Sequence, residues 1–153
     1  MNRYVTPPLD VHVTDDHLSP FDRADLIFYD VDHSGPSYEA RVFLNNEDAD
    51  FATPADPGQG YAGSFNVFGH GGCVGEEGHC DIDDRNEDDF DLRAPHPITP
   101  WTKTVTITDA LKQVDQAQVT VTVVAVASGP GGAEQTEALK FDRLRLATYI
   151  ADD

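Results

Sequence analysis

Ser37-Tyr38-Glu39-Ala40-Arg41-Val42-Phe43-Leu44 decides the fold, because its apolar residues Tyr38, Ala40, Val42 and Leu44 recur at every second position. A period of two places those four on one face of an extended chain and Ser37, Glu39, Arg41 and Phe43 on the other. This is a half-buried β-strand. Upstream, Leu26 to Val31 is a short apolar run closed by the turn-rich Asp32-His33-Ser34-Gly35-Pro36, so the two runs are expected to lie as neighbouring strands.

The same period continues downstream. Tyr61 to Phe68 resumes a strand, with Gly63 marking a bulge or a close approach of backbone. Thr102 to Thr108 alternates threonine with Lys103, Val105 and Ile107, and Val119 to Val126 is β-branched almost throughout. Leu139 and Phe141 share one phase and Leu144 and Leu146 the opposite one, which implies a bulge at Asp142-Arg143. Asp109 to Val114 is the one helical stretch, with Thr108 or Asp109 as its cap. Asn45 to Gly60, polar and rich in Pro and Gly, reads as a long loop.

These elements predict an all-β fold, an antiparallel β-sandwich of jelly-roll-like type with six or seven strands and one short helix. Residues 1–24 are expected to form an N-terminal extension, 25–149 the sandwich with a long 69–100 loop, and 150–153 a tail. A chain of 153 residues suits a single domain. Its net charge of −18 would repel a nucleic-acid backbone or an anionic membrane, so neither is expected as a partner. No apolar run has the length of a secretory signal or a membrane span, and the chain is expected to be soluble.

Chemistry is expected between Gly69 and Pro100, where periodicity stops. Gly69-His70-Gly71-Gly72-Cys73-Val74-Gly75-Glu76-Glu77-Gly78-His79-Cys80 brings two imidazoles and two thiols within eleven residues, hinged by glycines. Soft donors of this kind favour Cu(I) or zinc, which makes His70, Cys73, His79 and Cys80 candidate metal ligands. The plain alternative is a Cys73–Cys80 disulfide closing a small loop with the histidines exposed, or two unpaired thiols. Asp81 to Asp91 then packs seven carboxylates into eleven positions. Arg85 and Asn86 stand where an EF-hand needs a ligand and a glycine, leaving a loose calcium site or a solvated acidic loop.

No catalytic machinery is evident. The six histidines never occur as His-x3-His, Ser34 and Ser64 lack a Gly-x-Ser-x-Gly setting, and no glycine-rich loop has the strand–helix context for phosphate. The chain alone is therefore not expected to be an enzyme. A copper enzyme built from His70, His79 and either His33 or His96 would need three positioned ligands and an open place.

Several strands, in order, resemble the C-terminal domain that follows the dicopper catalytic domain in polyphenol oxidases and other tyrosinase-family proteins. The matching pieces are Tyr38 to Asn45, Tyr61 to Val67 with its Ala-Gly-Ser-Phe core, Lys103 to Leu111, Val119 to Val124 and Leu139 to Leu144. The resemblance spans about residues 25–149. It implies a β-sandwich shield that packs on a dicopper domain, in cis or in trans, and limits substrate access until displaced. In some relatives such a domain helps deliver copper through cysteines, so the resemblance extends copper to His70, Cys73, His79 and Cys80, ahead of zinc or calcium. Plant relatives carry a histidine-rich stretch where this chain has two histidines and two cysteines. The competing reading is a stand-alone metal-binding or protein-interaction β-sandwich unrelated to phenol oxidation.

Overall fold

The computed structural model describes residues 2–11, 13–14, 17–18, 21–69, 100–127 and 138–150. Their strands are β1 (Arg3–Val5), β2 (Leu9–Asp10), β3 (Val13–Thr14), β4 (His17–Leu18), β5 (Arg23–Val31), β6 (Tyr38–Leu44), β7 (Tyr61–Val67), β8 (Trp101–Thr106), β9 (Gln118–Val119), β10 (Val121–Ala127) and β11 (Arg143–Tyr149). The single described α-helix, α1 (Thr108–Leu111), follows β8.

Two sheets form the body. One runs β1-β10-β6-β7 and the other β11-β5-β8, and the strand pairs are antiparallel. The alternation of β6 does what its period requires: Tyr38, Ala40, Val42 and Leu44 are buried in the principal core. From the other sheet, Leu26, Phe28 and Val105 enter the same core, where the Phe28 and Phe65 rings meet with centroids 4.8 Å apart. Burial of a ring such as Phe28 contributes roughly 2–3 kcal/mol. The fold is thus the expected all-β sandwich with one short helix.

Residues 1–24 do more than precede it. Arg3–Val5 closes the edge of the four-stranded sheet by pairing with Thr122 to Val124 of β10. Such a three-residue strand carries too little periodicity to stand out in a sequence. Two small ribbons, β2-β9 and β3-β4, complete the described pairing.

Two local expectations change. Val119 to Val126 is split at Thr120, whose backbone N–H donates to the Asn45 Oδ1 while its carbonyl accepts from the Asn45 N–H. Asn45 itself is left-handed at φ 52°, a conformation its short amide tolerates. Thr108 does not cap α1: its Oγ1 accepts from the Ala24 N–H instead, tying the helix to β5. The bulge expected at Asp142-Arg143 is present: the Asp142 N–H donates to the Tyr29 carbonyl while Arg143 is the register partner of Tyr29, so two residues stand opposite one. A separate irregularity lies on β5, where Asp30 takes φ 55° and the β5–β8 register shifts between Phe28 and Val31.

The loop of residues 45–60 folds back on the outer face of the four-stranded sheet. Asp50 Oδ1 accepts from the Ala52 and Thr53 N–H groups, and Asp56 caps a 3-10 turn at Pro57–Gln59. These bonds hold Ala49 against Phe43 and Val124 in a second small core. Phe43, in the polar phase of β6, is fully buried for that reason.

Candidate functional site

The frame of the candidate site is the turn between β5 and β6. Asp32 Oδ1 accepts from the Ser34 N–H at 2.8 Å, forming the side-chain-closed turn that its sequence favours. Hydrogen bonds from Ser34 hold the Asp32 carboxyl below its ordinary range, with Lys140, 3.8 Å away, adding to the effect. Behind the turn His33 is buried, and its ring stacks on Trp101 with centroids 3.9 Å apart and planes 22° apart. Lys103 Nζ lies 4.5 Å from the centroid of the same indole, a cation–π contact.

The chain leaves this frame at Gly69 and returns to it at Pro100-Trp101. The Gly69 N–H donates to Ser37 Oγ at 2.9 Å. A Cβ at Gly69 would run into the Gly35 and Pro36 carbonyls, so the strand exit fits against the turn only as glycine. Both feet of the aperiodic segment are therefore fastened within residues 33–37. His70, Cys73, His79 and Cys80, the acidic run Asp81 to Asp91, and His96 all fall outside the described residues.

Among the described residues no group of three or more His, Cys, Asp or Glu could hold a metal ion. His33 is the nearest described imidazole in sequence to that segment, and one of its faces is covered by Trp101. Tyr38, the first residue of β6, is buried and its hydroxyl has no hydrogen-bond partner, so desolvation pushes its pKa up to about 12. Sequence reading did not single out Trp101 or Tyr38: the first looks like a strand start, the second like a core residue. Trp101 and His33 are 68 positions apart, and no local pattern pairs residues at that separation.

No helix among the described residues is long and apolar enough to cross a membrane. No family model and no curated protein matches the sequence. Among solved structures the chain is similar to a domain-sized part of latent aurone synthase, a polyphenol oxidase. A recombinantly expressed latent aurone synthase (polyphenol oxidase) matches 97% of this chain and 24% of its own at 17% identity, with a TM-score of 0.52. Latent aurone synthase from natural source matches 99% of this chain and 25% of its own at 18% identity, with a TM-score of 0.53. The chain thus spans about a quarter of the length of those oxidases, and the likeness is one of fold.

Proposed function

We propose that this chain is a non-catalytic accessory domain of a polyphenol oxidase system, one that shields a tyrosinase-type dicopper domain. One observation carries the reading: almost the whole chain has the fold of a part, and only a part, of latent aurone synthase, a polyphenol oxidase, in two solved structures. A β-sandwich that is a quarter of a larger enzyme is built to pack against the remainder. The lack of any His-x3-His pair in this sequence agrees with a role beside the dicopper chemistry.

The second part of the proposal concerns copper. Thiolates and imidazoles at His70, Cys73, His79 and Cys80 make a donor set suited to Cu(I), and the turn at residues 33–37 fastens both feet of the segment that carries them. Copper held there would be in transit to a partner, and the described body would serve only as its frame.

Size-exclusion chromatography of the purified chain with the tyrosinase-type dicopper domain of the same source tests the first part. A joint peak is expected, and separate elution under all salt conditions would end the accessory reading. Titration of the reduced protein with Cu(I) tests the second. Binding lost in Cys73→Ser/Cys80→Ser is expected, whereas no binding above background would remove copper and leave the shielding role standing.

A further inference from the structure

The outer face of the β11-β5-β8 sheet has a composition unlike the rest of the chain. Leu26, Phe28, Leu144, Leu146 and Val105 turn inward to the core, so the alternate residues face out. In register, Arg145 lies beside Ile27, Arg143 beside Tyr29, and Tyr149 beside Arg23. Three of the ten basic residues are thus gathered on one sheet face of a chain with 28 acidic residues. The only carboxylate of this phase, Asp25, is 3% exposed; it accepts from Arg23 Nε at 2.8 Å and from the Thr106 hydroxyl at 2.9 Å. Its charge is spent within the sheet.

Arg143 and Arg145 are both exposed. The Arg143 guanidinium lies 4.2 Å from the Tyr29 ring centroid, which holds the side chain in place and lowers the entropy lost when it is bound. Arg145 makes no ion pair with any described residue. Tyr149 is 45% exposed at the end of the edge strand. Arginine and tyrosine around a half-buried aliphatic centre, without lysine or glutamate, is the composition of a protein interface. Exposed Asp30 and Asp142 border the Tyr29 end, so a partner's carboxylates are steered toward Arg145 and the middle of the sheet.

We propose that this face is where the domain docks on its dicopper partner, and that the partner presents carboxylates to Arg143 and Arg145. The inference rests on the accessory reading, to which it adds a surface and a charge. The chain is too acidic overall for a polyanion such as nucleic acid to approach this patch in preference to a folded acidic surface.

The test is the affinity of the intact chain for the dicopper domain, measured by titration calorimetry at low and raised salt. Arg143→Glu/Arg145→Glu is expected to weaken binding by at least about tenfold, and wild-type binding to weaken as salt rises. Arg143→Gln/Arg145→Gln, which leaves the strand without new like-charge contacts, is expected to lose less. Arg41→Gln, on the outer face of the other sheet, is expected to bind as wild type does. Full affinity in the Glu and Gln variants would overturn the docking face and leave the accessory role intact. No association of the wild-type chain would overturn the accessory role, and the face with it. Arginine-dependent binding of a DNA duplex in place of the domain would assign the face to a different partner and also overturn the proposal.

Discussion

A Cβ built on Gly63 would lie 2.7 Å from Val105 Cγ1, so β7 passes β8 at a separation that only a bare Cα allows. Gly63 also has φ +148° and sits where the β6–β7 register shifts between Val42 and Phe43. Bulge and close approach coincide at one residue and join the two sheets along this edge.

Gly63→Ala is therefore expected to destabilise the fold by about 2–4 kcal/mol, combining backbone strain with overpacking. Equilibrium urea unfolding measures this. Gly35→Ala is the comparison: a Cβ there meets nothing within 4 Å, so a change within about 0.5 kcal/mol is expected.

The buried Tyr38 hydroxyl gives a pH signature. Its pKa is raised to about 12 by burial, whereas in the unfolded chain it ionises near the ordinary value of about 10. The folded state therefore holds the proton more tightly, and its stability is complete below pH ~10 and falls as pH rises toward ~12, by roughly 2–3 kcal/mol. Tyr38→Phe removes that slope. Because the hydroxyl has no partner, the substitution is expected to be neutral or stabilising at pH 7. Unfolding of both proteins across the alkaline range, followed by circular dichroism, would show it.

Thr108 predicts a contrast between two conservative changes. Its Oγ1 accepts from the Ala24 N–H, 3.0 Å away across 84 residues. Thr108→Val strands that N–H beside the buried Ala24 and is expected to cost about 1–3 kcal/mol, whereas Thr108→Ser keeps the acceptor and costs less. Thermal unfolding midpoints order the three proteins.

What the sequence revealed follows the range of the forces involved. The period-two runs that became β6, β7 and β8 were legible because one face of each is buried, and burial imposes the alternation, whereas β10, buried on both faces from Val121 to Ala125, was legible from its β-branched residues. Gly63 was legible because a glycine inside a strand has few other uses. The break at Thr120 was not, since it depends on Asn45, 75 positions away. Nor was the role of Phe43, whose polar-phase position is buried only because the loop of residues 45–60 folds over it. At the candidate site, residue chemistry singled out the donors His70, Cys73, His79 and Cys80. The anchorage by Ser37 and the His33–Trp101 stack is long-range, and only the folded chain displays it.

Diphenol oxidation by the isolated tyrosinase-type dicopper domain, measured with and without an equimolar amount of this chain, tests the central claim most directly. The account predicts a several-fold fall in rate on addition, reversed when the chain is removed by limited proteolysis or displaced by mild detergent. A rate unaffected by a saturating excess would contradict it.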